Sequence, residues 1–438
     1  YHTTGRSAAI WIRNYGSADA RVLTAASRDF LIAPPPGFAD APLARQRAVV
    51  HLAPPEQVPR LTCMLRELPG LRPLGLEALH ALVPPLHRGY AAMAAVEEDC
   101  FDIDVAALHA GFLRRATAKG GVLALRHRAG RIWRSGGFWN AEGRDGTVFS
   151  APVLVNAAGA WGDQVAHLAG LRPIGLQPKR RTACIVDPAP HDCADWPLIG
   201  DAAHTWYVRP EARRKLMVSP ADETDDVPGD VQADELDVAV AVDRMQQALD
   251  IPVTRIEHRW AGLRSFTPDR GLAVGAGAEP GFFWMVGQGG YGIQTAPAAG
   301  RLLAALVRGQ APDADLAGHR LIVAPSLPVV EPTLARRLAE GGAVVLLGPR
   351  TASRTRDFRI PLGLPLDAFG DALPIRVALV ESLTPGVLEP VEGGGAVERW
   401  LEHIEGDLAP RLKLERGPGL FFAHDRLRYL AGWPTPDL

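Results

Sequence analysis

The sequence predicts an α/β protein in two parts that meet near residue 320. Three observations carry this expectation. The 438 residues suffice for two or three domains, each with a core of its own. Two segments repeat one design, an apolar strand, a glycine-containing turn and then a helix. After a polar stretch from Gly309 to Arg320 a fresh apolar run begins at Leu321, and strand and helix patterns alternate beyond it. The expected domains are residues 1–320 and 321–438.

Taken in order, the first 90 residues are rich in Ala, Pro and Arg, with Pro34-Pro35-Pro36-Gly37 and Pro84-Pro85 breaking short helical patterns such as Ala20 to Phe30. From Ile103 the spacing of Leu108, Phe112 and Leu113 predicts an amphipathic helix capped by Asp102 or Asp104. Strand-like runs follow at Val122 to Leu125 and Gly136 to Trp139. In the first repeated unit Val153 to Asn156 runs into Ala157-Ala158-Gly159-Ala160-Trp161-Gly162, with a helix from Asp163 to Leu168. In the second, Gly281 to Val286 leads into Gly287-Gln288-Gly289-Gly290-Tyr291-Gly292, and Thr295 as N-cap with Pro297 in the first turn opens a helix through Leu306. Past the boundary come a strand (Leu321 to Val330), a helix (Thr333 to Ala339), a strand (Ala343 to Leu347), an Arg-rich loop (Pro349 to Arg359) and strands near Ile375 to Val380.

Composition excludes several function classes. Lys+Arg number 47 and Asp+Glu 49, a net charge of −2, without the basic excess that nucleic-acid binding requires. The chain is 47% hydrophobic and 22% charged, and no stretch approaches the roughly 18 apolar residues of a membrane span. Cys63, Cys100, Cys184 and Cys193 form no CxxC pair, so a reducing, cytoplasmic setting is expected. The 13 histidines show no metal-ligand spacing; no metal is expected, and His2, His167, His204 and His258 read as ordinary. There is no GxSxG elbow and no Walker A loop. The chain opens at Tyr1 without a leader pattern and reads as a fragment at both ends.

Four glycines between Gly287 and Gly292, set between a strand and a helix start, let backbone N–H groups approach a phosphate, a carboxylate or a flavin pyrimidine. A tight turn without a ligand would use the same residues. Arg264, in Trp260-Ala261-Gly262-Leu263-Arg264-Ser265-Phe266, is flanked by apolar residues, so its guanidinium either meets an anionic ligand, snorkels to solvent or pairs with an acid such as Asp269. Tyr207 alternates like a strand residue in Thr205-Trp206-Tyr207-Val208-Arg209. Lys179-Arg180-Arg181 reads as a solvated basic face.

Up to about residue 320 these segments resemble the FAD-dependent amine oxidoreductases related to D-amino acid oxidase and glycine oxidase. The resemblance rests on Tyr1-His2-Thr3-Thr4-Gly5-Arg6-Ser7-Ala8-Ala9, Leu154 to Trp161, Gln177 to Arg181, Trp260 to Phe266 and Gln288 to Thr295, which together look closest to the D-arginine dehydrogenase branch. It implies FAD as cofactor, an α+β substrate domain and oxidation of an amino acid by hydride transfer to flavin N5, with oxygen or a quinone taking the electrons. It further implies that Arg264 clamps the substrate carboxylate, that Tyr207 and Tyr15 line the site, that Arg181 lies nearby and that Gly290 faces the substrate. Cofactor contacts would come from Gly5, Arg6, Ser7, Ala158, Gly159, Trp161, Gly287, Gly289, Gly290, Tyr291, Gly292, Ile293, Gln294 and Thr295. Two departures redirect the substrate: Ile10 stands where that branch has a histidine, and Arg47-Ala48-Val49-Val50 offers no carboxylate for a guanidinium. A small or apolar D-amino acid, or a glycine-like amine, is therefore expected. By the same resemblance the phosphate-binding GxGxxG turn and the ribose-binding acid would precede Tyr1, so the FAD-binding fold is expected to be incomplete here.

Beyond Arg320 the likeness changes family. Leu321 to Val330, Val344 to Thr355, Val380 to Val387 and Tyr429 to Pro434 are similar to the trimerisation domain of family forty-two β-galactosidases, a flavodoxin-like α/β module, here expected to be partial. It implies a homo-oligomer formed through the C-terminal part. The alternative reading is a non-catalytic fusion whose C-terminal segment is the working module.

Overall fold

The computed structural model describes residues 2–313, Leu316 and four short strands farther on. By contacts the chain divides into two units, residues 1–171 with 176–321, and residues 172–175 with 322–438.

The first unit opens on strand β1 (Ile10–Trp11), then helix α1 (Ala18–Ile32), whose first turn is capped by Ser17 accepting from the Ala20 N–H. Strands β2 (Ala44–Gln46) and β3 (Val49–Ala53), helix α2 (Val58–Glu67), strand β4 (Leu71–Leu74), helix α3 (Leu76–Leu82) and strands β5 (Met93–Glu97) and β6 (Phe101–Ile103) follow. Helix α4 (Val105–Ala118) begins where expected, with Asp104 as the cap, its carboxylate accepting from the Ala107 N–H at 2.8 Å. Ile103 belongs to β6, not to the helix.

The run Val122 to Leu125 is not a strand. No described strand pairs with it, and without a ladder partner an extended backbone gains no hydrogen bonds; Val122 stands 87% exposed. Gly136 and Gly137, both with positive φ, are the turn between β7 (Ala129–Ser135) and β8 (Phe138–Gly143), so the strand foreseen at Gly136 starts two residues later. Then come β9 (Val148–Ala151), β10 (Leu154–Asn156), α5 (Gly162–Leu168), β11 (Gln177–Val186), β12 (Leu198–Asp201), β13 (Tyr207–Glu211), β14 (Lys215–Ser219), β15 (Thr224–Asp225), α6 (Glu235–Ala248), β16 (His258–Phe266), β17 (Ala273–Ala276), β18 (Phe282–Val286) and α7 (Gly292–Val307).

The large sheet has nine strands in the order β15-β11-β14-β13-β12-β3-β5-β4, with β16 running along β11 in nine consecutive antiparallel pairs from Gln177↔Phe266 to Ile185↔His258. One face carries Val50, Cys184, Val186, Ile199, Val208, Leu216 and Val218 against Leu79 and Val83 at α3 and Val238, Ala241 and Met245 of α6. A smaller sheet, β10-β18-β17, joins the two repeated units through the parallel pair β10 and β18, and α7 packs on α1 above it through Ala20, Leu23, Ala298 and Leu302. In the second unit β19 (Val344–Leu346) pairs in parallel with β20 (Val377–Leu379), and β21 (Leu414–Gly417) forms an antiparallel pair with β22 (Leu420–Ala423). The strand, helix and loop expected at 321–330, 333–339 and 349–359, and the 429–434 segment, lie outside the described residues.

His51 sits in β3 opposite Gly200 and is 8% exposed, its ring 6.0 Å from that of His204. Burial, reinforced by His204, holds its imidazole down to about 4. A base whose folded-state value is depressed stabilises the fold above its unfolded value, near 6.5, and loses that contribution as pH falls through the folded value. We expect the unfolding free energy to drop by about 3 kcal/mol between pH 6.5 and 4 from this residue. Urea denaturation across that range should give a shallower dependence for His51→Gln.

Candidate functional site

In an antiparallel sheet, residues directly opposite one another share a face, and so do residues two apart on one strand. Arg181 lies opposite Gly262, and Arg264 is two residues along β16 from Gly262. The pairing of β11 with β14 and of β14 with β13 brings Ala183, Met217 and Tyr207 to the same face, away from the core. All six line a cavity of about 400 Å³, completed by Thr3, Thr4 and Ser7, by one face of α4 and by Gly289, Gly290, Gly292 and Ile293. The basic run at 179–181 is thus no solvated face. As neighbours on a strand, Arg180 turns to Asp226 and Asp237, while Arg181 turns to the cavity.

Arg264 is half-buried, and its Nη1 donates to the Tyr15 hydroxyl at 3.0 Å. Among the described residues no carboxylate lies within 4.0 Å of it. Asp269, the structural partner foreseen as an option, instead accepts from the Thr267 hydroxyl at 2.5 Å and the Gly271 N–H at 3.1 Å. Arg181 donates from Nε to the Asp222 carbonyl at 2.8 Å and from Nη2 to Glu223 at 3.4 Å. Burial would raise the Tyr15 phenol, but the Arg264 and Arg181 charges outweigh it and hold the group below its ordinary value. Burial would lower Arg264, yet the Tyr15 and Tyr207 oxygens outweigh it and raise the guanidinium further. Burial and the charge of Arg264 lower Arg181. Arg181 and Arg264 face one cavity, and Arg264 has no acid beside it among the described residues; together they make a site for an anion.

Gly290 lies directly over this pair. A Cβ there would stand 2.7 Å from Arg264 Nη1 and 2.7 Å from the Tyr15 oxygen. Gly289 has φ +51°, and a Cβ on it would come within 2.6 Å of the Phe266 ring. Helix α7 starts at Gly292, three residues before the expected cap. Thr295 lies inside the helix, where its hydroxyl donates to the Tyr291 carbonyl at 2.9 Å, and Pro297 is also interior. No side chain caps the first turn, so the N–H groups of Gly292 and Ile293 remain for a ligand in the cavity they line.

Other expected contact residues have structural partners. Gln294 is buried and bonds Ile12 through N–H and carbonyl and Thr24 through its hydroxyl. The Tyr291 hydroxyl donates to the Arg270 carbonyl, and Gly287 approaches Thr267 and Gly271. Trp161 packs on His2 with ring centroids 4.9 Å apart. Arg6 lines the cavity, but its guanidinium bonds Asp230 and the Val231 and Ala261 carbonyls. Gly159 and Ser7 line the cavity; Gly5 and Ala158 do not. Gly287, Gly289 and Gly292 have GxGxxG spacing between a strand and a helix, yet the first two are required by close packing against Thr267 and Phe266. Sequence reasoning missed Ala183, Gly262 and Met217: Ala183 is two residues from Arg181, Gly262 lies opposite Arg181, and Met217 reaches the same face only through its pairing with Ile185.

Tyr207 packs against Val49, Cys100 and Leu198, with Ile10 and Ile12 beside them, and none of these five lines the cavity. Glu97, opposite Val49, is 3% exposed, and burial pushes its carboxyl up, toward the neutral form.

The profile of the FAD dependent oxidoreductase family matches residues 1–306, well over half of the chain. The chain belongs to this family. A second profile, the beta-galactosidase trimerisation domain, matches residues 310–412. Over 130 residues the chain is 41% identical to the "Beta-galactosidase BgaA" of Thermus sp, covering 29% of this chain and 20% of that protein; it thus spans about a fifth of that relative. The fold resembles glycine oxidase from Geobacillus kaustophilus, with TM-score 0.63, 19% identity and coverage of 74% of this chain and 89% of that one. It also resembles L-proline dehydrogenase from P. horikoshii, with TM-score 0.61, 17% identity and coverage of 70% and 84%.

FAD is the cofactor of the family. The residues present fit the flavin ring end of such a ligand. The first turn of α7 is uncapped toward the cavity, and Gly159, with φ +56°, has nothing within 4 Å of where a Cβ would stand. Among the described residues no group of three or more His, Cys, Asp or Glu could hold a metal ion, and no helix is long and apolar enough to cross a membrane.

Proposed function

We propose that residues 1–320 oxidise the amine of a small or apolar D-amino acid, or of a glycine-like amine, to an imino acid that hydrolyses to a 2-oxo acid and ammonia. The observation that carries this reading is the Arg264 guanidinium, held beside Tyr15 under Gly290 without a carboxylate partner among the described residues. Bound FAD supplies a two-electron acceptor for the hydride from the α-carbon. Arg264, held by its hydrogen bond to Tyr15, takes the substrate carboxylate in a fork, and Tyr207 in the cavity wall fixes the direction in which the α-carbon points. The uncapped N–H groups of Gly292 and Ile293 would hold the flavin ring and stabilise negative charge on it. Among the described residues the cavity lining holds no Asp or Glu and includes Val105, Leu108, Phe112 and Met217, which favours an uncharged substrate side chain. Arg47 does not serve there, because it bonds Asp102 at 2.5 Å and the Trp196 carbonyl.

The test is anaerobic flavin reduction by the FAD-loaded full chain with glycine, both enantiomers of alanine and proline, and D-arginine. Bleaching by glycine or the D-alanine class and not by D-arginine is expected; bleaching by none of them overturns the reading. Reoxidation by air or only by a quinone then names the acceptor.

The match at residues 310–412 supports a second element of the reading, that residues 321–438 form an oligomerisation module. Cutting the chain after Arg320 should lower the mass per particle measured by light scattering at least twofold. An unchanged number of chains per particle would remove the module.

A further inference from the structure

The loop after β14 carries two acids with different tasks. The Asp222 carboxylate accepts from the Thr182 N–H at 2.7 Å and the Thr182 hydroxyl at 3.1 Å, anchoring the loop to β11. Glu223 faces the other way. Both its oxygens accept from Arg270 Nη2 at 2.9 Å, and one accepts from Arg181 Nη2 at 3.4 Å. Arg270 is itself held, its guanidinium 4.1 Å from the Phe266 ring centroid and its carbonyl accepting from Tyr291. Among the described residues Glu223 is the only carboxylate within 4.0 Å of the Arg181 or the Arg264 guanidinium. Its charge also acts on Tyr15 and Arg264.

Arg181 and Arg264 repel each other across the cavity, and both are partly desolvated. Without a counter-charge, Arg181 would either turn away or draw in a second anion. We propose that Glu223 sets the charge of the cavity: shared between Arg270 and Arg181, it holds Arg181 in place and offsets part of the positive charge there, so the site takes a ligand with one carboxylate and disfavours one with two. This rests on the reading of Arg264 as the carboxylate clamp. Glu223 is a positioning residue, acting through Arg181.

The experiment is calorimetric titration of the full chain with propionate and with succinate, for the wild type, Glu223→Gln, Glu223→Asp and Arg264→Ala. Glu223→Gln keeps the shape and removes the charge, so the succinate-to-propionate affinity ratio should rise on the order of tenfold. Glu223→Asp retains the charge and should keep the wild-type ratio, which a purely structural role would not separate from Gln. A ratio unchanged in Glu223→Gln, with propionate binding intact and lost in Arg264→Ala, overturns the inference and leaves the clamp standing. Absence of propionate binding in the wild type overturns the clamp and this inference with it. Should Glu223→Gln not fold, Arg270→Met serves: this half-exposed residue releases Glu223 to Arg181, and the ratio should fall severalfold, whereas an unchanged ratio rejects the proposal.

Discussion

Arg264→Ala should raise the apparent KM for a D-amino acid by two to three orders of magnitude while leaving the melting temperature nearly unchanged. Removing one partner of a desolvated, hydrogen-bonded charge pair costs about 2–5 kcal/mol, and each 1.4 kcal/mol is roughly tenfold in affinity. The cost falls on ligand binding because the folded chain itself loses little. The Arg264 side chain has no ion pair among the described residues, its one hydrogen bond there is to Tyr15, and its removal relieves repulsion with Arg181. Arg264→Lys should recover only part of the loss, since an ammonium cannot grip a carboxylate through two parallel N–H groups. Steady-state kinetics with a parallel thermal melt checks both halves; an unchanged KM would take Arg264 out of the carboxylate role.

Gly290→Ala should lower kcat/KM about a hundredfold, with a small change in stability. The added Cβ would stand 2.7 Å from both Arg264 Nη1 and the Tyr15 oxygen, closer than real contacts allow. The backbone at Gly290 does not have positive φ, and what the methyl meets first is the end of a flexible side chain, so the guanidinium shifts and the fold remains. Displacement by about 1 Å at a site whose contribution is positioning has that magnitude. The contrast is Gly289→Ala. There φ is +51° and the methyl meets the Phe266 ring at 2.6 Å, so the larger effect should fall on the melting temperature. If the two substitutions give the same pattern of kinetic and thermal change, the separation of their roles is wrong.

Much of the first unit is legible in local pattern. The helix at Ala18–Ile32, the Asp104-capped helix and the two strand–glycine–helix units carry their signals within about fifteen residues, where propensity, capping and periodicity act. The failures have a common cause. Val122 to Leu125 has strand composition, but a strand exists only with a neighbour to pair with. Thr295 followed by Pro297 imitates a helix start, yet Gly292 can begin the helix a turn earlier because the preceding glycines let the chain pass close to Phe266. The basic run at Lys179 looks solvated only while its strand has no known neighbours; paired with β15 and β16, it sends alternate residues to opposite sides.

By itself the sequence determined the residue types available for the chemistry: an arginine among apolar residues, a glycine-rich turn ahead of a helix, and the absence of an acid at residues 47–50. Tertiary structure alone decided that Arg181, Tyr207 and Arg264 share one cavity with Gly290, and that Glu223 reaches Arg181 there while Asp269 pairs with neither arginine. Register and sheet order place side chains far apart in the chain within a few ångströms, and a one-residue slip would turn every one of them to the other face.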